Sequence, residues 1–324
     1  MNRVTVVLIG AAAAFAASCA RTPSPETCDR ECLVGLADGY LAAVAAHDPA
    51  AVPLADDVRF VENITRMKPG DGLWASATAV RRFRIHVPDP AAQTVGVMTI
   101  VERRTSNGVA PAVLAVRLTL EGGTITEAEH LVGELQPTAD PARLVAPRPN
   151  LTSIVPSGER MRAADMSSIA GSYYDALVAA DASRAPFAND CEREENGAIA
   201  AGPGLPPAPF DSTDVQGRTP PAVARDCVGQ LNSRRFAYID AIDHRRIVAV
   251  DPVQGLAMGW SHFRQSMKKG PQLLIAADGS RVMWEEKRAP YDLPAAHIFK
   301  ITGGRIHEVE AVGIFVPYGS ATGW

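Results

Sequence analysis

Leu36-Ala37-Asp38-Gly39-Tyr40-Leu41-Ala42-Ala43 is rewritten later in the chain as Ile169-Ala170-Gly171-Ser172-Tyr173-Tyr174-Asp175-Ala176, and this repeat decides the fold. Val52-Pro53-Leu54-Ala55-Asp56-Asp57 returns as Ala185-Pro186-Phe187-Ala188-Asn189-Asp190, and Glu62-Asn63 returns as Glu195-Asn196. All keep one offset, 133 positions, as from Tyr40 to Tyr173. Gly122-Gly123-Thr124-Ile125-Thr126-Glu127-Ala128-Glu129 matches Gly303-Gly304-Arg305-Ile306-His307-Glu308-Val309-Glu310, now 181 positions on. The difference between the two offsets (181 − 133) is extra chain inside the second copy. The sequence therefore predicts two copies of one small domain.

Periodicity gives each copy the same order of elements. In the first, 29–46 reads as a helix whose Leu33, Leu36, Ala37, Tyr40, Leu41 and Val44 share one stripe. His47-Asp48-Pro49 stops it. A strand is expected at 58–64, a short helix at 72–78 around Trp74, and strands at 82–87, 94–103, 112–120 and 125–135. Gly122-Gly123 is a hairpin turn of the kind that needs positive φ. In the second copy a helix at 164–180 and a strand at 191–196 precede an insertion, 198–226, too rich in Pro and Gly for a helix or a central strand. Strands follow at 236–242, 247–251, 256–264, 281–288, 295–301 and 306–315. A leading helix followed by an antiparallel meander means α+β, not a doubly wound sheet. The expected division is 1–18 signal peptide, 19–27 tether, 28–136 first domain, 137–156 Pro-rich linker and 157–324 second domain.

Asn2-Arg3 followed by the apolar run 4–17 reads as a secretory signal, too short to span a bilayer comfortably. Ala16-Ala17-Ser18-Cys19 resembles a bacterial lipoprotein cut site, with Cys19 as the lipidated residue and 21–26 as a polar tether. The expected location is the periplasm or cell surface, with the membrane reached through the lipid anchor only. The ordinary alternative is a signal peptide cleaved nearby and Cys19 discarded. If Cys19 carries lipid, Cys28, Cys32, Cys191 and Cys227 remain, an even number suited to disulfides in an oxidising compartment. Of three possible pairings, Cys28–Cys32 with Cys191–Cys227 is the simplest, because each bridge then lies within one copy. Metal is not expected: there is no Cys-x-x-Cys and no histidine at finger-like spacing. Net charge is −4, so nothing marks a nucleic-acid binder. No Gly-x-Gly-x-x-Gly, Walker loop or Gly-x-Ser-x-Gly elbow appears, and no cofactor is expected.

The long first helix, proline-broken turn, Glu-bearing strand, short helix and sheet ending in Gly-x-Ile-x-Glu-x-Glu resemble the nuclear transport factor 2-like fold. That is the cone of polyketide-cyclase-like and ketosteroid-isomerase-like proteins. The resemblance covers 28–136 and 157–324. Val61-Glu62-Asn63 with Gly72-Leu73-Trp74, Cys191-Glu192-Arg193-Glu194-Glu195-Asn196-Gly197, Phe299-Lys300-Ile301 and Gly323-Trp324 are similar to a tandem family exported by fungi and bacteria. It implies two tandem cone-shaped domains, each a long N-terminal helix on a curved antiparallel sheet around a hollow. Domains of this fold commonly pair through their sheets, so the two copies are expected to pair within one chain, leaving a monomer.

Glu62 and Glu195 stand at equivalent strand positions, each before Asn, and a Glu beside apolar walls suits a general acid or base. The competing reading is a carboxylate paired with Arg59 or Arg193 on an outer face. Glu127 with Glu129, and Glu308 with Glu310, point to one face of a strand and suit a cation or split acid–base roles, or a solvated edge matched by arginine. The second copy is richer in site-forming types, so its catalytic candidates are Glu195, His297, Tyr238 and His262, with Tyr173, Arg193, Asn196 and Trp284 as ligand contacts. Tyr40, Glu62, Asn63 and Trp74 make the corresponding set in the first. No serine or cysteine nucleophile is credible. The set therefore points to a pocket for a small, partly apolar molecule and to a cofactor-free lyase or isomerase working by carboxylate, His and Tyr proton transfer. The alternative is a non-catalytic binding or scaffold protein of the cell envelope.

Overall fold

The computed structural model describes residues 27–210 and 212–324. The expected signal peptide, Cys19 and nearly all of the tether lie outside them. Asp29 caps the first helix, α1 (Arg30–Ala46), by accepting the Cys32 N–H at 2.9 Å, and His47 ends it in the left-handed region. β1 (Leu54–Glu62), β2 (Thr65–Met67), the short α2 (Leu73–Ser76), β3 (Ala77–Asp89), β4 (Thr94–Thr105), β5 (Gly108–Glu121) and β6 (Thr124–Glu134) follow. The connection carries α3 (Pro149–Thr152). The second half repeats the plan with α4 (Ala163–Ala179), β7 (Phe187–Glu195), β8 (Ala198–Ala201), α5 (Cys227–Asn232), β9 (Ala241–Asp251) and β10 (Leu256–Gln265). It closes with β11 (Gln272–Ile275), β12 (Arg281–Trp284), β13 (Tyr291–Thr302), β14 (Arg305–Gly313) and β15 (Val316–Pro317).

The two main sheets have the same order, β2-β1-β6-β5-β4-β3 and β8-β7-β14-β13-β10-β9, and β15 adds to β13. Each is antiparallel except where its first strand joins its last in parallel, β1 on β6 and β7 on β14. Sequence repetition and sheet order thus agree on a tandem α+β architecture. Both disulfides lie within one copy: Cys28–Cys32 at the start of α1, and Cys191–Cys227 tying β7 to α5 across the insertion.

Three apolar clusters hold the molecule together, in the usual way that each amphipathic face must find a partner. In the first half Leu33, Tyr40, Leu41 and Val44 of α1 pack on Phe60, Val97 and Val116 of the sheet, with Trp74 of α2. In the second, Met166, Tyr173, Tyr174 and Leu177 of α4 pack on Phe187, Phe263, Phe299 and Val309. The third cluster joins the halves: Phe83, Ile85, Met98 and Leu131 face Met258, Trp260, Ile298 and Val312. The backs of the two sheets therefore cover one another. The approach is close enough that a Cβ on Gly133 would stand 2.5 Å from Val312 Cγ2 and 2.8 Å from Asn196 Nδ2, so only glycine fits there.

The departures from the sequence pattern fall in the second half. The strand expected at 236–242 is a turn up to residue 240, entered through Arg234 in the left-handed region, and β9 runs unbroken from Ala241. Only Arg281–Trp284 of the strand expected at 281–288 forms, and it pairs with β11 in a hairpin outside the main sheet. The insertion begins with a strand, because β8 repeats on β7 the edge hairpin that β2 makes on β1.

Candidate functional site

In the first half the hollow between helix and sheet is occupied by the chain's own side chains. Tyr40 Oη lies 2.9 Å from His130 Nε2, and His130 Nδ1 lies 3.1 Å from Glu62 Oε2. Both Glu62 oxygens also accept the Leu73 N–H, at 2.9 and 3.0 Å, which seats the start of α2. Tyr40 meets Trp74 edge to face at 5.2 Å, and Phe60 meets His130 at 4.9 Å. Burial pushes the Tyr40 hydroxyl far above its usual range. Each polar group in this line is buried and satisfied by the next, the condition under which such a chain adds stability.

The second half shifts these chemistries by one strand and one helix position. Register pairs Glu62 with His130 and Val116 with His130 in the first sheet. It pairs Glu195 with Ala311 and His297 with Ala311 in the second. The histidine has moved to the neighbouring strand, and its Nδ1 lies 3.2 Å from Tyr174 Oη rather than from the residue equivalent to Tyr40. Its ring stacks on Phe299 and stands 5.5 Å from Tyr173. Burial drives the His297 pKa down to about 3, against the pull of Glu195, so the imidazole is neutral.

Where the first half has the apolar Phe60, the second has Arg193, only 2 % exposed. Arg193 Nη2 donates to Glu195 Oε1 at 2.6 Å, and the guanidinium lies over Phe236 at 5.2 Å. The Glu195 side chain is 46 % exposed. Burial raises the Glu195 pKa, but the Arg193 and Arg235 guanidiniums outweigh it and hold the carboxylate below its usual range. Burial pushes the Tyr173 hydroxyl up to about 12 although Arg193 faces it.

Arg193 and Glu195 open onto a groove of about 310 Å³ at the mouth of the second cone. β8, the insertion and the turn after α5 wall it, through Ile199, Pro209, Arg225, Arg235 and Phe236. Gln136 and Thr138, from the connection between the halves, close one side.

Glu195, Arg193, Tyr173 and His297 thus come together, while the other predicted residues lie elsewhere. Asn196 and Asn63 use their side-chain amides on backbone: Asn196 holds Gly313 N and O and Glu134 O, and Asn63 holds Val132 N and O. Both Asn residues stand in the left-handed region, so the recurrent Glu-Asn unit has a structural cause. Tyr238 and Trp284 share a separate small hollow with Lys269, on the hairpin side. His262 lies between the halves, 3.5 Å from Asp292 and 6.3 Å from His244. Burial, then Arg264, hold its pKa below the usual histidine value, against the pull of Asp292. The acidic pairs at 127/129 and 308/310 are matched by Arg117 and Arg148. Among the described residues no group of three metal-ligating side chains comes together. Arg235, Arg225 and Phe236 were not singled out by sequence, because residues 236–240 read as strand and Arg225 sits in a Pro-rich stretch.

Among curated proteins, none matches this chain significantly. Solved structures share its fold at low similarity. AusH from Aspergillus nidulans is 13% identical over 35% of this chain and 89% of its own, with a TM-score of 0.29. A candidate polyketide cyclase from a Silicibacter species is 17% identical over 48% of this chain and 92% of its own, TM-score 0.27. A Catenulispora acidiphila protein with a ketosteroid isomerase-like fold, solved with trimethylamine, is 15% identical over 35% and 93%, TM-score 0.25. Each half of this chain has a long helix packed on a mainly antiparallel sheet. Residues 26–132 and 159–313 both match the family described as a domain of unknown function (DUF8021), and the chain belongs to it.

Proposed function

We propose that the second half of the chain is a binding module that takes a small, partly apolar molecule into the 310 Å³ groove beside Glu195. The observation that carries this reading is the Arg193–Glu195 pair. A carboxylate that is half exposed and held ionised by a buried guanidinium is a weak proton acceptor and a good orienting group. His297, the partner expected for acid–base work, is bonded to Tyr174 and charges only in strong acid. In the first half, Glu62 is committed to His130 and to the Leu73 N–H.

Ile199 is half-buried on β8 and lines the groove, so Ile199→Trp should fill much of it. A fragment mixture followed by ligand-detected NMR should show hits on the wild type that weaken roughly tenfold or more in the variant, with the unfolding midpoint unchanged. Identical binding to both proteins would remove the groove from consideration.

We also propose export and anchoring through Cys19. The two disulfides support an oxidising compartment. No helix among the described residues is long and apolar enough to cross a membrane. Metabolic labelling with a palmitate analogue should mark the wild type and not Cys19→Ala, and an unlabelled wild type would refute lipidation.

A further inference from the structure

We propose that the ligand of this groove is a small organic anion, a carboxylate or sulfonate on an apolar body, captured between Arg193 and Arg235. The proposal rests on the binding reading above and adds the chemical class. Three arginines (Arg193, Arg225, Arg235) line the groove against one carboxylate, Glu195, leaving the lining two positive charges in excess. Arg235 stands over Phe210 at 4.9 Å and over Phe236 at 5.1 Å, and makes no ion pair within 4 Å among the described residues. Aromatic faces hold its guanidinium, and Glu195 acts on it only through space. Among the described residues Arg193 has one carboxylate partner, and its Nε and Nη1 find no hydrogen-bond acceptor.

A buried guanidinium is expensive to desolvate, and a half-exposed carboxylate screened by solvent offsets only part of that cost. Burial lowers the affinity of Arg235 for its proton, and the nearby Arg193 lowers it further. Arg193 and Arg235 both stand over the ring of Phe236, so an anion there meets two guanidiniums and a cationic ligand meets repulsion from both. Gln136, Thr138 and Gln230 add uncharged polar groups, and Ala198, Ile199, Ala208, Pro209 and Phe236 give the wall an apolar strip. An inorganic anion would leave that surface wet, whereas an organic one covers it. The groove stands at the low end of small-ligand pocket volumes, which suits one or two rings or a short chain.

The test pairs an acid with its neutral isostere. Binding of 1-naphthoate and of 1-naphthamide to the full-length protein is measured by calorimetry, beside inorganic phosphate. Naphthoate should bind at least about tenfold more tightly than the amide, and more tightly than phosphate. Arg235→Gln should weaken naphthoate about tenfold or more while leaving the amide where it was. Glu195→Gln should tighten naphthoate, because it removes the one competing carboxylate. Arg235 is chosen because its side chain lies at the groove wall, whereas a change at the buried Arg193 risks the fold. If acid and amide bind equally and Ile199→Trp removes both, the anion class is overturned and the groove stands. If phosphate binds as tightly as naphthoate, the organic body is overturned. If neither naphthalene probe binds, or Ile199→Trp affects neither, both the class and the groove fall.

Discussion

Replacing His130 with leucine should lower the stability of the first half by about 3–5 kcal/mol, the range seen when a buried polar or ionic pair loses one partner. The ring is the middle of the line from Tyr40 to Glu62, so its loss strands two groups at once. Tyr40 Oη is left with an apolar neighbour, and Glu62, 7 % exposed, loses the one side chain that bonds it among the described residues. Leucine also leaves space among Phe60, Tyr40 and Trp74 where the ring stood. Tyr40→Phe removes only a hydroxyl and should cost nearer 1 kcal/mol. Trp74 is in edge contact with Tyr40, and a Trp260→Phe/Trp284→Phe/Trp324→Phe background would make its fluorescence report on this half. Denaturant unfolding of the three proteins checks the order, and a His130→Leu variant within about 1 kcal/mol of wild type would show that the line holds nothing together.

The same residues show what the sequence pattern can carry and where it stops. Tyr40 and Tyr173, or Glu62 and Glu195, announce equivalent places because each copy keeps one helix stripe and one edge-strand position. Patterning of this kind predicts which elements exist and which face they bury, and so the tandem α+β plan was readable. A partner on a strand far along the chain depends on register, which periodicity does not contain. His130 therefore gave no sign that it bridges Tyr40 and Glu62, and His297 none that it answers Val116 rather than His130. Arg193 is expected from sequence as a ligand contact or as an outer-face partner of Glu195, but the run Glu192-Arg193-Glu194-Glu195 does not show how deeply it is buried. Register turns it inward to the place of Phe60, and its burial defines the groove. The Arg235 side of the site was hidden for a different reason. Aromatic and β-branched residues at 236–242 satisfy a strand pattern, and tertiary packing overrides it with a turn.

The buried glutamates between the connection and the second sheet lead to the largest pH effect. Arg148 reaches Glu194 at 2.9 Å and Glu310 at 3.1 Å, and also bonds Glu308. Arg143 pairs with Glu192 and Glu194. Four carboxylates thus share two guanidiniums, and three of the four side chains are no more than 9 % exposed. Burial pushes Glu310 up to about 8, against Arg148 and with the help of Glu194 and Glu308. The folded state holds that proton where the unfolded chain, with an ordinary carboxyl near 4.5, has released it. The stability this contributes is complete below the unfolded value and is lost as pH rises towards 8. His297 works in the other direction. Folded near 3 and unfolded near 6.5, it stabilises above 6.5, and that contribution is lost as pH falls. Glu310→Gln should therefore unfold at a higher temperature than wild type at pH 8, and the two should converge towards pH 5. Arg148→Met leaves three buried carboxylates facing Arg143 alone, and should destabilise by about 3–5 kcal/mol at pH 8. Its deficit should shrink in mild acid, because protonated carboxyls need no counter-charge. Calorimetric midpoints across pH 5–8 decide the matter: a deficit for Arg148→Met that is the same at both ends would mean that the arginine acts by packing, and that the carboxylates bear no proton-linked strain.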